Sequence, residues 1–292
     1  MSAMSDQIRA MFGEGDRKRD AGLATPEDIV RFDDIVYGTI EEKWQKLDVY
    51  RPKAETGKLP VILSIHGGGW VYGDKDVYQF YCMSLAQRGF VVVNYSYRLA
   101  PEYKYPSSFE DTADVCEWII ANAAAYGFDT DHIFGVGDSA GAHMLAILSA
   151  ALSNPDYAAK TGFRLPRNFA FKAIALNCGA FRIEGGRQDM TTGLMADYLP
   201  GGGTKEEFEL ICPADFITGK FPPSFVMTCP GDFLKDQAPL LTAQLEKNDV
   251  PFIYRRYGDH EHPLGHVFHC NIRLSEATLC NDEETAFFRT FL

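Results

Sequence analysis

The stretch Ile133-Phe134-Gly135-Val136-Gly137-Asp138-Ser139-Ala140-Gly141-Ala142-His143-Met144-Leu145-Ala146-Ile147-Leu148 decides the fold. It runs from a short apolar strand, through a Gly-x-Ser-x-Gly turn, into a helix-forming segment, which is the layout of a nucleophile elbow. A strand that turns so sharply into a helix brings two backbones together, so a Cβ at Gly137 or Gly141 would clash. The bend strains Ser139 and exposes its oxygen at the strand end, where it meets the positive pole of the following helix.

Working outward, the chain has 292 residues and is 46% hydrophobic, enough to bury a large core in one α/β domain. An aromatic content of 13% argues against disorder, and a formal net charge of -12 argues against a nucleic-acid partner. The basic run Arg17-Lys18-Arg19 reads as the solvated face of an N-terminal helix. The cysteines (Cys82, Cys116, Cys178, Cys212, Cys229, Cys270 and Cys280) are odd in number and lack CxxC spacing. They read as small buried hydrophobes in a reducing compartment. The start of the chain shows no basic-then-apolar signal, and no apolar run approaches the roughly 20 residues of a membrane span. A cytoplasmic protein without membrane association is the expectation.

Strands are expected at 32–37, 45–50, 59–65, 90–95, 133–136, 171–176, 224–228 and 251–257, and helices at 77–88, 109–125, 140–152, 238–247 and 282–292. This alternation implies one mostly parallel sheet covered by helices on both faces. Residues 1–45 are polar and partly helical in pattern. Residues 181–221 break the rhythm with Gly185-Gly186, Gly201-Gly202-Gly203 and Pro222-Pro223, and read as an excursion over one sheet edge. These two segments are the candidate cap or lid of a single domain spanning 1–292.

A serine nucleophile needs a base, an acid that orients the base, and donors for the developing oxyanion. His66-Gly67-Gly68-Gly69-Trp70 directly follows an apolar strand, and its glycines let N–H groups turn inward. The N–H of Ala140 is the further donor. Asp232 in Cys229-Pro230-Gly231-Asp232 ends another apolar strand, where α/β sheets place their sites. Its alternative role is a helix N-cap, and Asp236 is the second choice of acid. Four of the seven histidines crowd into residues 258–269. Among them His266 has the local context of a base, whereas His260 and His262 lie in a charged loop. A metal site would need partner ligands at matching spacing, which are not evident, so no metal and no cofactor is expected. His132 and His143 read as structural. Trp70, Tyr72 and Tyr78 follow the glycine turn, and Phe181, Met195 and Tyr198 lie in the excursion. All six are candidate pocket walls, each equally readable as core packing.

The GDSAG pentapeptide, the upstream HGGGW and the intervening Tyr97-Arg98-Leu99-Ala100-Pro101-Glu102 together resemble the hormone-sensitive-lipase-like branch of the α/β-hydrolase superfamily, from about residue 45 to the end. The resemblance implies an α/β-hydrolase fold with a small cap. It also implies Ser139 as nucleophile, Asp232 as acid, His266 as base, and Gly67, Gly68 and Ala140 as oxyanion donors. At three places the chain departs from the family's pattern: Asp232-Phe233-Leu234 stands for Asp-Pro-Leu, His266-Val267-Phe268 for His-Gly-Phe, and the N-terminal segment is short for a full helical lid, which implies a more open site. The expected activity is hydrolysis of short-chain acyl esters, acetyl esters of sugars among them, through an acyl-enzyme. The expected partner is a small-molecule ester, with a homodimer as the candidate assembly. An amide hydrolase of formamidase type and a non-catalytic binding protein on the same scaffold are the alternatives; the latter would typically lack a triad member.

Overall fold

The computed structural model describes residues 3–39, 44–259 and 261–292. Among these, eight strands form one sheet: β1 (Ile29–Val36), β2 (Lys46–Pro52), β3 (Leu59–Ile65), β4 (Val91–Tyr95), β5 (Phe128–Asp138), β6 (Ala173–Asn177), β7 (Ser224–Thr228) and β8 (Phe252–Arg256). The helices, in chain order, are α1 (Ala3–Asp20), α2 (Lys75–Ala86), α3 (Ser107–Ala121), α4 (Ala123–Tyr126), α5 (Ala140–Ser153), α6 (Pro155–Thr161), α7 (Met190–Tyr198), α8 (Lys205–Leu210), α9 (Gln237–Lys247) and α10 (Ser275–Arg289).

The strand order is β1-β2-β4-β3-β5-β6-β7-β8. Only β1 with β2 and β2 with β4 run antiparallel; every other neighbouring pair is parallel. Continuous apolar runs in β3 and β4 serve both faces, as a doubly covered sheet demands. Val61, Leu63, Val91 and Val93 join the core beneath α5 and α9, while Ile62 and Val92 join the core beneath α2 and α10. The α/β-hydrolase architecture expected above is the architecture found.

Boundaries differ where tertiary contacts override the local pattern. The helix expected at 109–125 is two helices divided at Asn122. The closing helix begins at Ser275 rather than 282, because Ala277, Cys280 and Asn281 extend its buried face. The 181–221 segment connects the neighbouring strands β6 and β7, β7 lying next to the edge strand β8. It folds into α7 and α8, and Leu194 comes down onto Gly69, beyond the C-terminal end of β3.

A charged cluster ties the antiparallel side of the sheet to α2. Lys75 is nearly buried, and its Nζ lies 3.1 Å from the fully buried Asp48, 3.0 Å from Asp34 and 2.8 Å from Asp76. Removing one partner of such a pair leaves the other charge uncompensated in the interior. Lys75→Met should therefore lower unfolding stability by about 3–5 kcal/mol in urea titration, whereas a loss under about 1 kcal/mol would show that Asp48 needs no counter-charge.

Candidate active site

Ser139 stands between the end of β5 and the start of α5 with φ 51° and ψ -117°, a conformation that costs a non-glycine residue of order 1–3 kcal/mol. Two contacts hold it there. Its N–H donates to the Asn177 carbonyl at 2.9 Å, and its own carbonyl accepts from the His143 N–H at 3.1 Å. Two residues on, a Cβ at Gly141 would sit 2.0 Å from the Ile65 carbonyl oxygen, so only glycine lets α5 approach β3 this closely.

Asp232 follows β7 and is buried. Its Oδ1 accepts from His266 Nδ1 at 2.6 Å and from the Leu234 N–H at 2.8 Å, and its Oδ2 accepts from the Thr228 hydroxyl at 2.7 Å. Burial pushes this carboxyl up, yet the His266 hydrogen bond and charge, with Thr228 and Leu234, bring it below its ordinary value. An ionised carboxylate only accepts, so Nδ1 of His266 carries the proton and Nε2 is left as a base. Asp232 does not cap α9; Asp236 occupies that position, is exposed, and makes no side-chain cap bond.

His266 is placed by the chain around it. Gly231 N–H donates to Leu264 O at 3.0 Å, and the Cys229 thiol donates to Gly265 O at 3.1 Å. These contacts stitch the loop after β8 onto the loop after β7. His262, by contrast, is exposed beside Asp259, and His260 lies outside the described residues. His143 is buried with both ring nitrogens engaged, accepting from Trp70 Nε1 at 3.3 Å and donating to Ile211 O at 2.8 Å. Burial lowers His143 to about 4 and His269 to about 3, and neither is placed to work as a base on Ser139.

The glycine turn beside Ser139 departs from expectation at one donor. Gly67 spends its N–H on the Tyr78 hydroxyl at 3.0 Å, and that hydroxyl donates in turn to Asp138 Oδ2 at 2.8 Å. An N–H so committed is not free for substrate, which removes Gly67 from the set. Gly68 has φ 113°, and a Cβ there would lie 2.1 Å from the Tyr72 carbonyl oxygen; the turn demands glycine. The N–H groups of Gly68, Gly69 and Ala140 make no hydrogen bond among the described residues. Tyr97 braces this turn from behind: its ring stacks on His66 at 4.1 Å and its hydroxyl donates to His66 O at 2.9 Å.

Two cavities reach Ser139. One, of about 250 Å³, is lined by Met11, Phe12, Asp16, Tyr72, Phe233 and His266 among others. The second, of about 20 Å³, is lined by Gly69, Trp70, Ala140, Met190, Leu194 and Phe233 among others. Trp70 and Tyr72 are thus walls. Tyr78 lines the larger cavity, but its hydroxyl is consumed by Gly67 and Asp138. Phe181, Met195 and Tyr198 are not walls: all three are buried in the core, with Tyr198 stacked on Trp70 at 5.2 Å. These three side chains turn inward under the excursion instead of facing the serine.

Among the described residues, two trios of potential metal ligands lie within 4.8 Å of one another, Asp138 with His269 and Cys270, and Cys178 with Asp232 and His266. Asp138 also accepts from Tyr78, and Asp232 and His266 hold each other. All seven cysteines are buried free thiols. No helix among the described residues is long and apolar enough to cross a membrane.

A family model described as "alpha/beta hydrolase fold" matches residues 62–266, which holds every element just described from the glycine turn to His266. The chain belongs to the α/β-hydrolase fold family. Versiconal hemiacetal acetate esterase of Dothistroma septosporum is 31% identical to this hydrolase over 229 residues, covering 73% of the chain and 68% of the relative. Carboxylesterase NlhH of Mycobacterium tuberculosis is 31% identical over 226 residues, covering 72% and 70%. Among solved structures, Esterase B from Lactobacillus rhamnosis, described with a C4-C4 SN3 tributyrin phosphonate, superposes with a TM-score of 0.89 at 26% identity, over 99% of this chain and 95% of that one.

Sequence reasoning about the hydrolase missed α1 and Phe233 as walls of the site. Phe233 is 51% exposed and lies 4.2 Å from the His266 ring, and its signal was the residue following Asp232 in place of proline. A support beneath the elbow was also missed. Fully buried Glu284 accepts from Asn177 Nδ2 at 2.7 Å, and Asn177 is the residue whose carbonyl holds the Ser139 N–H. Burial pushes Glu284 from 4.5 up to about 7. The folded hydrolase thus keeps a proton that the unfolded chain has lost, and stability falls as pH rises from 4.5 to about 7. Unfolding free energies measured at about pH 5 and about pH 8 should fall more in the wild type than in Glu284→Gln, and equal falls would contradict the assignment.

Proposed function

We propose that the chain is a serine carboxylesterase that transfers short acyl groups to water through an acyl-enzyme on Ser139. The observation that carries the reading is the 2.6 Å contact between Asp232 and His266, which orients an imidazole in the same cavity as a backbone-strained serine. His266 Nε2 takes the Ser139 proton as the oxygen attacks the ester carbonyl, and Asp232 holds the tautomer and stabilises the imidazolium. The tetrahedral oxyanion faces the N–H groups of Gly68, Gly69 and Ala140, with the N-terminal pole of α5 behind them. His266 then returns the proton to the departing alcohol, and a water repeats the sequence to release the acid.

The relatives named above are esterases, and the chain carries a candidate for every triad role, which argues against a binding protein that has lost its chemistry. Esters of small alcohols, acetylated sugars among them, suit the larger cavity, where Asp16, Arg19 and Tyr72 share the wall with Met11, Phe12 and Phe233. The seven buried thiols without a disulfide support a reducing, cytoplasmic setting.

Turnover of p-nitrophenyl acetate tests the assignment. Ser139→Ala should lower kcat by about 10⁴-fold or more, and Asp232→Asn by about 10⁴-fold through the wrong tautomer. His266→Ala should match the serine variant while His262→Ala keeps wild-type turnover. Loss confined to His262→Ala would move the base to that residue. Faster turnover of N-formyl aromatic amines than of the acetate would favour the amide-hydrolase alternative.

A further inference from the structure

The two cavities at Ser139 divide the ester between them. The departing alcohol must receive a proton from His266. Only the 250 Å³ cavity contains both Ser139 and His266, so it takes the alcohol side. The 20 Å³ cavity contains Ser139, Ala140 and Gly69 but not His266, so it takes the acyl side. The acyl side is thus much the smaller of the two.

Its limits are fixed side chains. Leu194 on α7 is buried and presses on the glycine turn, with its Cδ1 2.9 Å from where a Cβ on Gly69 would lie. α7 is tied down along its length. Gly193 packs under the Met4 side chain of α1, and the Ser5 hydroxyl bonds Asp197. Lys104 Nζ donates to the carbonyls of Ala196 and Leu199, each at 3.0 Å. Leu194 is consequently a wall and not a mobile flap. On the other side a cavity of about 420 Å³ shares Ala180, Met190, Thr191, Phe233 and Leu234 with the pocket, so Met190 belongs to the wall common to both.

The geometry points to a hydrolase of acetyl esters whose acyl limit is set by Leu194 and Met190, with α1 holding α7 in place; this rests on the esterase reading above. A hydrophobic pocket rejects one surplus methylene by about 10–200-fold, so kcat/KM should fall at least about 10-fold from p-nitrophenyl acetate to the butyrate. Leu194→Ala enlarges this pocket. It should raise the butyrate-to-acetate ratio at least about 10-fold while octanoate stays poor. Met190→Ala joins the pocket to the larger cavity and should bring octanoate turnover up with butyrate. Leu279→Ala, exposed on α10, is the control that keeps the wild-type profile. Far-UV circular dichroism and thermal unfolding show that each variant is folded. Should Leu194→Ala fail to fold, Leu194→Val replaces it, with the same direction of shift expected.

Wild-type turnover of butyrate or octanoate equal to that of acetate would overturn the inference and leave the esterase reading intact. So would an unchanged chain-length profile in a Leu194 variant that still hydrolyses acetate. Absence of turnover on every ester, acetate included, would instead defeat the esterase reading itself.

Discussion

The close approach of α5 to β3 is the constraint on which the rest depends. Because Gly141 lies against the Ile65 carbonyl, the chain leaving β5 must reverse at Ser139 with φ 51°. That reversal aims the Ser139 N–H at the Asn177 carbonyl, pinning the bend to the neighbouring strand β6. It also sets the serine oxygen over the N-terminal pole of α5, beside the glycine turn that follows β3. Parallel pairing of β3, β5, β6 and β7 brings their C-terminal ends to one edge, and the loops bearing Asp232 and His266 arrive there for the same reason. The strain at one residue is thus maintained by a sheet and a helix with large buried cores on both faces.

Around that centre, polar groups are layered by how completely they are used. Gly67, Tyr78 and Asp138 satisfy one another beneath the turn, which keeps the turn rigid but withdraws Gly67 from the substrate. Gly68, Gly69 and Ala140 keep unused N–H groups, and donors that are already oriented cost no reorganisation when charge develops. Arg9 on α1 reaches the Val71 carbonyl at 2.8 Å and the Ala100 carbonyl at 2.9 Å, so the helix that walls the alcohol side is fastened to the chain behind the turn.

The sheet, the elbow and the sites of Asp232 and His266 were legible because each rests on local pattern: apolar runs, glycine spacing, and a polar residue just past a strand. What was not legible depends on contacts remote in sequence. Nothing in the polar stretch around Met11 and Phe12 says that α1 lies over a serine more than 120 residues away. Gly67 and Gly69 are equivalent in an HGGGW string, and only the position of the Tyr78 hydroxyl tells them apart. Phe181, Met195 and Tyr198 are apolar residues in an excursion, and whether such residues face a cavity or the core is set by how the excursion folds back.

The most direct test of the central claim is the site of covalent capture by an alkyl phosphonate ester, read by intact mass and peptide mapping. A single adduct on Ser139 is expected, formed rapidly in the wild type and much more slowly in His266→Ala. An adduct on another residue, or capture at Ser139 whose rate is unchanged without His266, would contradict it.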